Sequence, residues 1–165
     1  CITVAEICRK ADVSRMTFYS HYDDKYELLD DYFKDMLDTA TSDFDTLQKA
    51  NNPEELLESS YCNLLDAILN LYYSHLDFFR HTEREGDRYL YWYYYSQVLE
   101  KIEKFTIKYC TFKKPLFSTE KTSALLCNAL WGYIHTSRNS HEPLEATRKG
   151  AKEALRVLLA SGLFV

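Results

Sequence analysis

Glycine and proline are scarce, four and three among 165 residues. So few turn formers cannot serve a many-stranded β protein, and an all-α chain is expected. Long hydrophobic runs are missing as well. The apolar stretch Ala124 to Cys127 falls far short of a membrane span, so no membrane partner is expected. No secretory signal is read, because the first residues go straight into a structured pattern. The five cysteines (Cys1, Cys8, Cys62, Cys110 and Cys127) are odd in number, scattered, and form no CxxC pair. That argues against a disulfide framework and a structural zinc site, and fits a reduced, cytoplasmic location. His75/His81 and His135/His141 are each six residues apart, so neither pair shares a helical face at metal-ligand spacing. No metal is expected. A glycine-rich phosphate loop, an HExxH motif, a Ser/His/Asp order and a paired-carboxylate motif are also lacking, so neither an enzyme nor a bound cofactor is expected. There is no basic surplus either: the net charge is −5 and the isoelectric point about 5.5. This disfavours a general nucleic-acid coat, whereas a specific DNA-binding module needs only a local positive face.

What is present is helix-forming sequence between sparse breaks. Thr3 to Ala11 reads as a short helix, Asp12-Val13-Ser14 as a turn, and Arg15 to Tyr22 as a second short helix capped by the Ser14 hydroxyl. Asp23-Asp24 opens a long helix, with carboxylates at the positive end of its dipole. Leu28, Leu29, Tyr32, Phe33, Met36, Leu37, Ala40, Phe44 and Leu47 give that helix an apolar stripe at i, i+3, i+4 spacing. The next helix is expected to start at Pro53, capped by Asn52 with Glu55 completing a capping box, and to run to about His81. A loop over 82–87, helices over roughly 88–111 and 118–138, and a last helix opened by Pro143 and closed by Gly162 complete the pattern. Two domains are expected. The first, 1–48, holds the short helices and the connecting helix; the second, 49–165, is a helical bundle.

The two short helices and their three-residue turn read as a helix-turn-helix. Ile7, Ala11, Val13, Phe18 and Tyr22 can face one small core, with Cys8 as a small residue where the helices approach. Arg15, Met16, Tyr19 and Ser20 fall on the opposite face, a mixture of cationic, apolar and hydrogen-bonding groups that suits the edge of the major groove. A merely solvated face is the alternative.

The run Ile2-Thr3-Val4-Ala5-Glu6-Ile7, then Ala11-Asp12-Val13-Ser14-Arg15-Met16-Thr17-Phe18-Tyr19-Ser20-His21-Tyr22, then Lys25 and Leu28-Leu29, resembles the signature of the tetracycline-repressor (TetR) family of transcriptional regulators. The match spans residues 2–29, and the rest of the chain carries no sharp motif. The resemblance implies an N-terminal helix-turn-helix domain followed by a helical-bundle ligand-binding and dimerisation domain. It further implies a homodimer on palindromic operator DNA and a small-molecule effector. Thr3 matches a phosphate contact at the start of the first short helix. Ser14, Arg15, Met16, Thr17 and Ser20 match positions that read bases or approach the groove. Tyr19 and His21 match backbone contacts, and Lys25 matches a phosphate-binding lysine.

Three departures stand out. Asp12 replaces a turn glycine, which aspartate can do because it tolerates left-handed backbone. Met16 replaces a small residue. The family's first helix has no counterpart, so a preceding segment of roughly a dozen residues or more is expected. The first 25 residues hold four basic and four acidic side chains. That balance keeps an alternative open, a TetR-like co-activator or protein-interaction module without strong DNA binding.

Further along, Tyr89-Leu90-Tyr91-Trp92-Tyr93-Tyr94-Tyr95 holds six aromatics in seven residues, which cannot all share one core stripe. Two readings follow: an aromatic-lined effector pocket, or core plus amphipathic surface tyrosines. The ligand-contact candidates are Tyr72, Tyr73, His75, Phe79, Tyr91, Trp92, Tyr95, Asn128 and Trp131. Ala124 to Ile134 is apolar nearly all round, and the last helix sets small Gly150 and Ala154 beside a leucine stripe. That pattern predicts a four-helix dimer interface through Leu126, Leu130, Tyr133, Ile134, Ala151, Leu155 and Leu158. An intramolecular core is the competing reading. The resemblance also places the dimer on the last two helices.

Overall fold

The computed structural model describes residues 2–84, 88–109 and 114–164, and within these the side chains of 81–84 and 88–91 lie outside the description. The helix signals in the sequence become α1 (Val4–Ala11), α2 (Arg15–Tyr19), α3 (Lys25–Asn51), α4 (Leu57–Ser74), α5 (Leu76–Arg84), α6 (Arg88–Tyr109), α7 (Thr119–Asn139) and α8 (Leu144–Ala160). The described residues are therefore all-α, apart from one isolated antiparallel bridge between Pro115 and Phe164. Among them no helix is long and apolar enough to cross a membrane.

The chain divides into two compact units whose border, between Thr39 and Ala40, lies inside α3. Sequence reading put that border after residue 48. The later half of α3 belongs to the second unit because Phe44 packs edge-on against Phe105 (5.4 Å) and Tyr109 (5.9 Å).

In the first unit, Thr3 caps α1 through a reciprocal box with Glu6. Asp12 ends α1 in the left-handed region (φ 54°), and the Val13 N–H reaches back to the Cys8 carbonyl (3.0 Å). The Ser14 hydroxyl then accepts from the Thr17 N–H (3.0 Å) and starts α2. Cys8, Phe18, Phe33 and Met36 are buried, while Ile7 and Tyr22 are half-buried. Ala11 and Val13 were expected in this core but are exposed. The left-handed step at Asp12 breaks the helical phase, so Val13 is not carried onto the inner face of α1. Tyr32 of the expected α3 stripe is exposed as well. Asp24 caps α3 by accepting from the Tyr26 and Glu27 N–H groups (2.7 and 3.0 Å).

In the second unit, the junction of α3 and α4 departs from the sequence reading. Asn52 does not cap a helix at Pro53. It is buried, its Oδ1 accepts from the Leu56 N–H (3.0 Å), and its Nδ2 lies within reach of the Leu56 carbonyl, Gln48 Oε1 and Ser60 Oγ. Glu55 takes a positive φ of 53° and α4 begins only at Leu57. The amide staples a loop here, because Gln48, Ser60 and Asn63 offer it and one another buried partners. The single helix expected up to about His81 is broken at His75 (φ −121°, ψ 31°), giving α4 and α5.

The core of this unit gathers Tyr61, Leu65, Leu69, Tyr72, Phe105, Leu126, Ile134, Ala151 and Leu155, with Leu163 and Phe164 folded back onto it. Helices α7 and α8 approach closely at Gly150, where a Cβ would lie 1.9 Å from the Tyr133 hydroxyl. Helices α4 and α8 are tied by Asp66, which takes Arg148 (2.8 Å) on one oxygen and Lys152 (2.6 Å) on the other, with Arg148 also donating to Asn70 (2.9 Å).

Candidate nucleic-acid interface

Helix α2 has one buried side chain, Phe18, which stacks edge-on with Tyr19 (5.4 Å) and contacts Tyr22 (5.7 Å). Anchoring one face leaves the other outward. Arg15, Met16, Thr17, Tyr19, Ser20 and His21 are all exposed, and Met16 is the extreme at 82%. The turn continues past Tyr19, since the Ser20 N–H bonds Met16 and the His21 and Tyr22 N–H groups bond Phe18. The Tyr22 hydroxyl donates to Asp31 of α3 (3.0 Å), and that carboxylate raises the pKa of the phenol.

Exposure alone does not make a reading group. The hydroxyls of Ser14 and Thr17 are bonded to each other (2.8 Å), and the Ser20 hydroxyl donates to the Thr17 carbonyl (2.7 Å). All three make local hydrogen bonds, Ser14 and Ser20 with the backbone and Thr17 with the Ser14 hydroxyl. Thr3, expected to hold a phosphate, donates both its N–H and its hydroxyl to Glu6 Oε2 (2.8 Å each). The anion at the start of α1 is thus the chain's own carboxylate, and these bonds from Thr3 lower the Glu6 pKa. A phosphate there would have to displace it. Lys25 is half-buried. Its ammonium donates to the Ile2 carbonyl (3.1 Å) and sits 5.1 Å above the Tyr26 ring, so it ties the start of α3 to the chain ahead of α1. The outward groups that remain are Arg15, Met16, Tyr19 and His21.

Charge is distributed unevenly around them. Residues up to 39 carry nine acidic and five basic side chains, yet no aspartate or glutamate falls between Val13 and Tyr22. The stretch Val13 to Tyr22, which includes α2, is thus free of acidic side chains and holds Arg15, in an otherwise acidic unit.

Among the described ligand-contact candidates, two groups of contacts are seen. Tyr72 is buried and stacks with Phe79 (5.0 Å), Trp131 (5.2 Å) and Tyr73 (5.6 Å). Phe78 extends this ladder to Phe79 (5.4 Å) and to Tyr94 of α6 (5.5 Å). The rings fill the space between α4, α5, α6 and α7 by packing on one another. The Tyr73 hydroxyl donates to Thr147 of α8 (3.4 Å). Trp92, Tyr95 and Asn128 form a second, outer group: Trp92 is 61% exposed, its ring lies 5.5 Å from that of Tyr95, and Asn128 donates to the Tyr95 hydroxyl (2.6 Å). His75 sits at the break between α4 and α5, and the Tyr91 side chain lies outside the described residues. Sequence reading missed Arg138, whose guanidinium donates to the Tyr72 hydroxyl and lies over its ring (5.7 Å). Its only signal was a cation three residues beyond His135 at the end of an apolar helix.

The dimer candidates also separate. Leu126, Ile134, Ala151 and Leu155 are 0–2% exposed within the single chain. In the single chain they lie in the internal core and leave almost no surface for a partner. Tyr133 is half-buried with its hydroxyl over Gly150, while Leu130 and Leu158 are half-buried at the margin of the core. The outward side chains of α7 and α8 include Leu125 (53%) and Val157 (66%), which sequence reading did not select. Burial pushes the Cys127 thiol up to about 11, which keeps it protonated and unreactive at neutral pH.

No family model matches the chain, and comparison with curated proteins and with solved structures likewise gives no match.

Proposed function

We propose that this chain is a transcriptional regulator of the TetR type, with α1 and α2 as a helix-turn-helix and the later helices as a regulatory bundle. In this reading a homodimer presents two copies of α2 to an inverted-repeat operator. The observation that carries the reading is the α1–turn–α2 geometry. Two short helices are joined by a turn with a left-handed Asp12, and the second, in a stretch without acidic residues, turns Arg15 outward. Arg15 acts as a base-reading cation, and Lys25 would reach a backbone phosphate only by giving up its bond to the Ile2 carbonyl. The aromatic ladder is the region through which an effector acts, by favouring one arrangement of the helices that carry it.

The test is selection of duplexes from a random pool by the full-length protein. Enrichment of an inverted repeat is expected. Arg15→Ala should then weaken binding by about 1–3 kcal/mol per half-site and relax sequence preference locally, and Lys25→Ala should weaken all duplexes alike. A protein that enriches nothing, with or without candidate ligands, is not a DNA reader.

A second reading, an interaction module of the same fold without DNA affinity, draws on two observations. The acids outnumber the bases among residues up to 39, and Glu6 occupies the start of α1. It predicts the empty outcome of that selection.

A further inference from the structure

Met16 is the most exposed of the large hydrophobic side chains on the described surface, at 82%. It stands on α2 next to Arg15, inside the acid-free window of Val13 to Tyr22. The neighbouring hydroxyls of Ser14, Thr17 and Ser20 are engaged with the backbone or with each other. These hydroxyls are held by local hydrogen bonds, and the remaining outward set is a cation, a thioether, a phenol and the His21 imidazole. A thioether has no hydrogen to donate and is a weak acceptor, so it can recognise only an apolar feature. In the major groove each base pair displays donors and acceptors, and one pair adds an apolar group, the C5 methyl of thymine. The stretch Val13 to Tyr22 adds no acidic side chain of its own against the phosphates that flank such a methyl.

We infer that Met16 is a specificity-determining residue that packs its thioether on the C5 methyl of one thymine in each operator half-site, beside the base read by Arg15. This rests on the reading of α1 and α2 as a DNA-binding head. Met16 makes no contribution to the core, so it can be changed without touching the fold.

The experiment uses the inverted repeat selected by the full-length protein. Each thymine is replaced in turn by uracil, which removes the methyl and leaves every hydrogen-bonding group in place. Binding of the wild type and of Met16→Ala is measured on each duplex. The expected result is one thymine per half-site at which uracil weakens the wild type about fourfold, the value for one buried methyl group, and leaves Met16→Ala unchanged. Uracil substitutions that are neutral everywhere, or that affect both proteins equally, would overturn the role of Met16 while leaving the DNA-binding reading intact. Failure to select any duplex removes that reading and this inference together. The thermal midpoint of Met16→Ala, expected at the wild-type value, keeps a folding defect from imitating the result.

Discussion

A methyl group added at each of two helical glycines meets opposite surroundings. Gly132 in α7 has nothing within 4 Å of where a Cβ would lie, whereas at Gly150 in α8 that Cβ would lie 1.9 Å from the Tyr133 hydroxyl. Helix propensity favours alanine over glycine by about 1 kcal/mol at both positions. Gly132→Ala should therefore stabilise the protein by nearly that amount. Gly150→Ala should lose the gain to overpacking, on the order of 1–3 kcal/mol. Tyr133→Phe removes the colliding oxygen, so Gly150→Ala should cost less in that background than alone. Chemical denaturation of the four variants reads all of this, and equal effects at the two glycines would refute the close approach of α7 and α8. Sequence reading saw Gly150 only as a small residue permitting approach. The side chain that fills its place, Tyr133, was assigned to a partner subunit, because helical periodicity shows that a residue is apolar and not which neighbour receives it.

Helices were legible in proportion to how local their causes are. The caps at Thr3, Ser14, Asp24 and Ser118 lie where Ser, Thr and Asp precede apolar periodicity, and each accepts from a backbone N–H of the turn it opens. The Asn52-Pro53 signal failed because its outcome depends on residues distant in sequence. Gln48 and Ser60 accept from the Asn52 amide, and Asn63 donates to the same Gln48 oxygen, so the amide is held in a buried network and the helix starts at Leu57. The break at His75 carries no proline or glycine and was not readable at all. The network gives a prediction. Asn52→Ala strips the Leu56 N–H and carbonyl, Gln48 and Ser60 of a partner at once, and should destabilise by about 2–3 kcal/mol. Asn52→Asp keeps the acceptor for Leu56 and loses the donor. It should fall between the wild type and Asn52→Ala in denaturation midpoint if the Leu56 bond matters most. A loss under 0.5 kcal/mol for Asn52→Ala would mean that water replaces the amide without cost.

For the whole molecule, the burial of Leu126, Ile134, Ala151 and Leu155 changes how the proposed homodimer must be tested. Leu155→Glu places a carboxylate in a site with no exposure and should unfold the chain rather than separate subunits. Leu125→Glu alters an outward side chain of α7 and should give folded monomers. Sedimentation with circular dichroism distinguishes the two outcomes, and a well-folded wild-type monomer at micromolar concentration would end the dimer proposal. The candidate DNA face was readable from sequence as an exposed set. What could not be read was that Thr3, Ser14, Thr17 and Ser20 would be held by local hydrogen bonds, since a hydroxyl looks the same in sequence whether it serves a cap or a base. The acid-free window on α2 also bears on how such a protein would search a genome. Affinity for random sequence comes from counterions released by lysine and arginine, and residues up to 39 hold five of these against nine acids. Chromosomal DNA away from the operator would hold few copies, sliding along it would be brief, and encounters would come mainly through solution. A small number of molecules per cell would then keep an operator occupied, because so few would be lost to the bulk of the chromosome.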